Sequence, residues 1–304
     1  MPKATPYLAL SVGQSRCTQL PLMAFQKVTK PFFAPRKWAL VGYANDGKST
    51  FLMQMRRPLL VIDADQRIDG TVKDTDEDVF RLGDEPKDAN DVNRIEFLMK
   101  RDMPGAGVQT IGIDSLTGII GPIINKAMAI NGAGASKNKS SPFVEKATAM
   151  RILQDAVTPW GADLLFIWHL EGNTMNGVRG TRESLPETER DRLRRSLNAE
   201  LQVIWDGDRR GIKVVWTREG TAGAELFDTV GNWKSMPERI EIAIYGFTSR
   251  EKALDWAVER GDFASTAEAL AAYDKLRKDV NPKTAPEMWR AWGDRVLFGE
   301  PVSA

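Results

Sequence analysis

Apolar residues fall along this chain in short blocks, separated by amphipathic or polar stretches. Trp38, Ala39, Leu40 and Val41 form a run that ends at Gly42. Leu59, Leu60, Val61 and Ile62 form a second, ending in Asp63-Ala64-Asp65. Short apolar runs bounded by turn residues read as buried strands. The pattern recurs at 79–82, at 108–113 before Asp114, and at 163–168 before His169. Between these runs lie helical stretches. One follows the 42–48 segment to about Met55, where Pro58 stops it. Another covers 89–101, with Val92, Ile95, Phe97, Leu98 and Met99 as an imperfect apolar face. Further helices are predicted at 116–130 and 143–157, and helix-forming charge pairs fill 187–201. Strands separated by helices predict an α/β fold with a mostly parallel sheet covered on both faces. The stretches 131–141 and 171–186 are rich in Gly and polar residues and read as loops. The runs 203–205 and 213–217 flank Asp206-Gly207-Asp208-Arg209-Arg210-Gly211, a hairpin signature.

After Gly246 the pattern changes. Three short helices are predicted at 249–260, 266–278 and 286–296, with Trp256, Tyr273, Trp289 and Trp292 as aromatic contacts. The organisation expected is therefore an extension over 1–31, partly disordered, a core over 32–246 and a small helical module over 247–304. Composition narrows this little. The 304 residues carry a net charge of +1, so no whole-molecule attraction to nucleic acid is expected. Cys17 is the single cysteine, which fits a reducing cytosol. With His169 as the single histidine, a His/Cys zinc site is excluded. No apolar run approaches the roughly 20 residues that span a bilayer, so no membrane partner is expected.

The segment Gly42-Tyr43-Ala44-Asn45-Asp46-Gly47-Lys48-Ser49 matches G-x-x-x-x-G-K-[ST] at every fixed position, and Thr50 completes the loop. Its glycines let the backbone curl so that several N–H groups face phosphate oxygens. The helix that follows aims its positive end at the same anion. Lys48 supplies a charge for the β- and γ-phosphates, and the Ser49 hydroxyl a ligand for Mg²⁺. The ligand expected is Mg-ATP. Asp114, at the end of a buried strand, is expected to hold the metal, or else to cap the next helix, a task Ser115 can do equally well. No glutamate follows Asp114. The residue that orients attacking water is then sought at Asp65 first and Asp63 second, each with the alternative of a surface or turn acid. His169 ends a strand on the same edge; it either contacts the γ-phosphate or satisfies a buried backbone group.

This order of parts resembles the RecA-like ATPases, and among them the compact phage-encoded group associated with single-strand annealing and recombination. The resemblance covers roughly residues 32–218. It implies a RecA-like core that hydrolyses ATP to ADP and phosphate with Mg²⁺, in the cytosol of a bacterial host. Asp65 would stand where those proteins carry a catalytic glutamate, one methylene shorter. His169 would stand at the sensor position, where RecA itself has glutamine. The segment 172–183, with Asn173, Asn176, Arg179 and Arg182, would be a loop that contacts single-stranded DNA. The 131–141 loop, with Lys137 and Lys139, is a second candidate, and either segment could instead be a plain connection. Neither has the interleaved aromatics of a base-stacking surface. A ring or filament of identical chains is implied, with Arg209, Arg210 or Arg218 offered to a neighbour's γ-phosphate unless these are ordinary surface arginines. A hexameric helicase-like or packaging motor or loader is the alternative, and the chain has no evident extra nuclease or primase-interaction domain. A nucleotide kinase is a third reading. The cluster Arg190, Arg192, Arg194 and Arg195 could serve it, but its spacing with Glu187, Glu189 and Asp191 fits a solvated helix.

Overall fold

In the computed structural model the described residues are 32–133, 143–175 and 178–299. The apolar runs of the sequence become the strands of one sheet. Its members are β1 (Lys37–Gly42), β2 (Leu59–Asp63), β3 (Val79–Arg81), β4 (Thr110–Asp114), β5 (Asp163–Met175), β6 (Val178–Glu183), β7 (Ala199–Asp206), β8 (Arg209–Thr217) and β9 (Glu225–Phe227). The strand order is β3-β2-β4-β5-β1-β7-β8-β9, with β6 paired to β5 outside this path. Pairing is parallel from β3 to β7 and antiparallel at β7–β8, β8–β9 and β5–β6. This is the expected α/β P-loop NTPase core, a mostly parallel sheet flanked by helices.

Alternation along each central strand feeds two cores. Ala39 and Val41 of β1 and Leu164, Phe166 and Trp168 of β5 face one side. There they meet α2 (Val92–Asp102), α3 (Leu116–Gly132), α4 (Val144–Val157) and α5 (Glu187–Arg194). Trp38, Leu40, Leu165 and Ile167 face the other side. That side is covered by α1 (Lys48–Leu52) and α6 (Met236–Tyr245). Since both faces of the sheet are covered, the strands read as continuous apolar runs rather than alternating ones. A buried ion network pins α6 to the strand starts. Arg36, 1% exposed, pairs with Glu238 at 2.8 Å and Glu241 at 2.7 Å. Arg56 joins Glu241 at 2.7 Å and Asp163 at 3.1 Å.

The C-terminal helices α7 (Arg250–Glu259), α8 (Thr266–Val280) and α9 (Ala285–Phe298) lie where the sequence predicts them. They enclose Trp292, whose indole N–H donates to Ala253 O at 2.9 Å and whose ring stacks on Phe263 at 5.6 Å. Ile242 of α6 belongs to this third core, and Arg239 of α6 pairs with Asp294 of α9 at 2.8 Å. From Phe33 onward the chain forms one compact unit.

Several boundaries differ from expectation. The helix after the phosphate loop ends at Leu52 rather than Met55. The charge-pair helix ends at Arg194, and β7 begins already at Ala199. The segment 171–186 is not a loop: β5 runs on to Met175 and returns as β6, pairing Leu170 with Glu183 and Met175 with Val178. Between those strands the sequence places Asn176-Gly177, the dipeptide most favoured in two-residue hairpins. Helix α6 is a further element. Its Ile240, Ile242 and Ile244 alternate as a strand would.

Candidate nucleotide site

The site lies at the carboxyl ends of β1, β2 and β4 and beside His169, which does not end its strand but marks where β5 leaves β1 and pairs with β6. The parallel register fixes which residues meet there. Gly42 is level with His169, and Asp63 with Asp114. Strand β5 lies between β1 and β4, so His169 falls between the phosphate loop and the acid-bearing strands.

The loop has a defined internal geometry. Asn45 (φ 68°) and Gly47 (φ 78°) take left-handed backbone conformations. The left-handed conformation favours glycine at Gly47, and a Cβ there would lie 2.3 Å from Arg210 Nη1, so the guanidinium packs directly against this residue. Asp46 is buried, and its Oδ2 accepts from the Tyr43 amide at 2.6 Å. Tyr43 and Ala44 are exposed, and Thr50 is half-buried in the first turn of α1. Lys48 is buried inside the loop, with Nζ donating to Gly42 O at 3.0 Å and Tyr43 O at 2.5 Å. Burial pushes its ammonium below the usual lysine range, against the opposing pull of Asp46, Asp114 and Asp65. A buried ammonium held by carbonyl oxygens alone is a group that gains from an anion beside it.

Ser49 Oγ donates to Asp114 Oδ2 at 2.5 Å. Asp114 is 6% exposed, and burial raises its carboxyl above the usual range, with Asp65 and Asp63 adding like-charge repulsion and Ser49 opposing. A hydroxyl and a carboxylate in direct contact, with that carboxylate poorly compensated, suit a hard divalent cation. Among the described residues no group of three or more His, Cys, Asp or Glu side chains is placed to hold a metal. A magnesium ion bound with substrate phosphates takes one or two protein oxygens, with water and phosphate oxygens as its other ligands. The donors present therefore fit Mg-ATP: Ser49 and Asp114 for the metal, Lys48 and the loop amides for phosphate. The helix cap is Ser115, which accepts from the Gly118 amide at 3.3 Å.

Asp65 and Asp63 have different surroundings. Asp63 is buried and accepts from the amides of Arg67 (3.1 Å) and Ile68 (3.2 Å) and from Arg81 (3.0 Å). Asp65 accepts from Ser115 Oγ at 2.9 Å and lies 3.4 Å from His169 Nε2. The hydrogen bond to His169, and after it the one from Ser115, holds the Asp65 carboxyl below its usual range. A Cβ at Gly118 would lie 2.6 Å from Asp65 Oδ1, so the first turn of α3 closes on this carboxylate. The His169 amide donates towards Thr117 Oγ1 (3.3 Å) and Ser184 Oγ (3.2 Å).

The β5–β6 hairpin reaches the loop directly: the Tyr43 hydroxyl and Thr181 Oγ1 are 2.6 Å apart. Arg182 is exposed and pairs with Glu171 at 2.9 Å. Asn176, the side chains of Asn173 and Arg179, and Lys137 and Lys139 lie outside the described residues. The hairpin arginines separate by partner. Arg218 donates to Leu197 O, Arg194 O and Arg195 O beyond α5. Arg209 pairs with Asp206 and lies over Phe227. Arg210 faces its own chain's loop, above Gly47. Arg190 and Arg194 pair with Glu183 and Glu200.

A family model described as an AAA domain matches residues 34–232. The chain belongs to this AAA domain family. It is a nucleotide-binding P-loop protein, and this AAA domain comprises the whole site from Gly42 to Ser184. No curated protein matches the chain. Among solved structures it is similar to the RadB recombinase, with 15% identity, 66% of this chain and 90% of that one covered, and a TM-score of 0.41. It is also similar to a KaiC-like protein from Pyrococcus horikoshii OT3, at 12% identity, 64% and 85% coverage and a TM-score of 0.37. Among the described residues of the AAA domain chain no helix is long and apolar enough to cross a membrane. Sequence patterns marked the motif residues. They did not mark Thr181, Trp205, Asp228 or Trp233 as neighbours of the loop, since each comes from an element remote in the chain.

Proposed function

We propose that this protein is a RecA-like, Mg-ATP-hydrolysing enzyme of phage-type recombination or single-strand annealing, which binds single-stranded DNA and works as a homo-oligomer. One observation carries the reading. The Ser49–Asp114 pair and the Asp65–His169 pair sit at adjacent strand ends, joined through Ser115, and the hairpin after His169 touches the phosphate loop. Ser49 and Asp114 would hold magnesium, which would supply positive charge against the phosphates. The chain's own groups do the rest. Loop amides and Lys48 orient the triphosphate. Asp65 accepts a proton from the attacking water, and Ser115 and His169 fix the direction its oxygen faces. His169 and Tyr43 connect this state to β5 and β6, the elements offered to DNA. Among the described residues of this hairpin, Arg182 is an exposed cation, paired with Glu171, that is offered to backbone phosphate.

The test is ATP turnover with and without single-stranded DNA, with a nucleoside monophosphate as a possible acceptor. Release of inorganic phosphate, stimulated by DNA, is the result expected. Transfer to the monophosphate would sink the proposal, and so would turnover indifferent to DNA for its recombination half. Lys48→Ala is expected to abolish tight ATP binding.

A further inference from the structure

The phosphate loop is gripped on its outer side by residues that no phosphate-loop motif contains. Trp233 is fully buried, edge-on to Phe51 of α1 at 5.9 Å, and its indole N–H donates to Gly47 O at 2.8 Å. The Arg210 guanidinium lies over the same indole at 4.1 Å, with Nη1 3.5 Å from Asp46 O. Asp228, 4% exposed, fixes both. It pairs with Arg210 at 2.9 Å and accepts from the amides of Gly231 (2.8 Å) and Trp233 (3.1 Å). Trp205 adds an indole N–H to Asp46 Oδ1 at 3.1 Å. The segment that delivers Trp233 is strained: Asn232, Trp233 and Ser235 have φ of 54°, 59° and 55°. Non-glycine residues in that region persist only where surrounding contacts over-determine them, and they cluster at functional sites.

The Asp46 and Gly47 carbonyls, the second shared with the Phe51 amide at 2.9 Å, determine where two amides point. In a planar trans peptide the C=O and the next N–H face opposite ways. Asp46 O faces Arg210, so the Gly47 amide faces away from it. Gly47 O faces Trp233, so the Lys48 amide faces away from that ring. Those amides belong to the part of the motif that cradles phosphate.

We propose that Trp233 and Arg210, locked together by Asp228, form a clamp that sets the phosphate-binding shape of the loop. They are positioning residues, acting on nucleotide through the 46–48 peptides and not by contact. The inference rests on the reading of the loop as an Mg-ATP site. It also accounts for Arg210 within its own chain, where Asp228 and Trp233 occupy it.

The experiment compares wild type, Trp233→Phe and Arg210→Met in full-length protein. Binding of a fluorescent ATP analogue with Mg²⁺ is measured, together with amide hydrogen exchange by segment. Each variant is expected to bind about fivefold more weakly, the scale of one net hydrogen bond. The double variant is expected to fall short of the product, since both side chains hold the same turn. Exchange is expected to quicken over 44–49 and stay unchanged over β4, a pattern that a general loss of stability would not give. Wild-type affinity in both variants overturns the clamp and leaves the ATP site standing. A wild type that binds no nucleotide overturns the site and the clamp together. Should Trp233→Phe not fold, Arg210→Met decides alone, because it removes no buried core ring.

Discussion

Replacing Asp65 by Asn separates binding from chemistry. The carboxylate accepts from Ser115 at 2.9 Å and lies 3.4 Å from His169. An amide oxygen still accepts from Ser115, but it takes no proton from water. Loss of a positioned general base typically lowers turnover about 10²- to 10⁴-fold. That corresponds to about 3–5 kcal/mol of activation free energy. In the proposed mechanism nucleotide binding rests on Lys48, Ser49 and the loop amides, so affinity is expected to change by less than about threefold, the signature of an interaction made in the transition state. The fold loses little. His169, and after it Ser115, hold the Asp65 carboxyl below its usual range, so the charged form stabilises the protein above the unfolded aspartate pKa. That stabilisation disappears as pH falls through the lower folded value. Asp65 is 24% exposed, so the pair is worth no more than about 1 kcal/mol. In a chain of 304 residues that is about 1.5–2 °C in melting temperature. The assay is phosphate release at saturating Mg-ATP beside a melting curve and a binding isotherm. An Asp65→Asn protein that folds, binds and turns over within about threefold of wild type would refute Asp65 as the base.

His169→Ala removes the largest influence holding the Asp65 carboxyl down, so the acid limb of the pH–rate profile is expected to move to higher pH; an unmoved limb counts against the pair. Asp114→Asn is expected to have opposite effects on activity and stability. Burial raises the Asp114 carboxyl, so its ionisation destabilises the fold once pH passes the folded value. The nucleotide-free variant should therefore melt higher at neutral pH, by about 1.5–2 °C for each kcal/mol relieved, while Mg-dependent turnover falls. Arg36→Met strips Glu238 of its buried partner and leaves Glu241 with Arg56 alone. A stability loss of about 3–5 kcal/mol is expected in urea unfolding, the scale for breaking a buried pair from one side.

The core was legible because its strands are buried on both faces. Runs such as 59–62 and 164–168 carry no polar interruption, and each is followed by a residue of the ligand edge. The motif located Lys48 and Ser49, and strand ends located Asp114, Asp65 and His169. What escaped depends on contacts remote in sequence. The β5–β6 hairpin was hidden because its polar strands resemble a loop, although Asn176-Gly177 lies between them. Helix α6 was hidden because Ile240, Ile242 and Ile244 alternate, and only burial against two cores makes that segment helical. Trp233 was hidden because nothing near it in sequence resembles the loop it touches; the contact spans 186 positions.

Three carboxylates at adjacent strand ends would ordinarily repel, and here each is compensated differently. Asp63 takes two backbone amides and Arg81, which commits both oxygens to the turn after β2. Asp65 takes a hydroxyl and an imidazole, which hold it charged while leaving it partly open to solvent. Asp114 takes only the Ser49 hydroxyl and is the most buried of the site's two remaining acids. An ionised carboxylate at such depth is stabilised chiefly by a cation brought to it. On the proposed function, the same sheet edge divides three chemically identical side chains into a structural acid, a proton acceptor and a metal ligand. The division follows from partners and not from spacing, since Asp63 and Asp65 are two positions apart and face the same edge. Exchanging the partners should exchange the roles: with Arg81 and the 67–68 amides engaged elsewhere, Asp63 would compete with Asp114 for the metal.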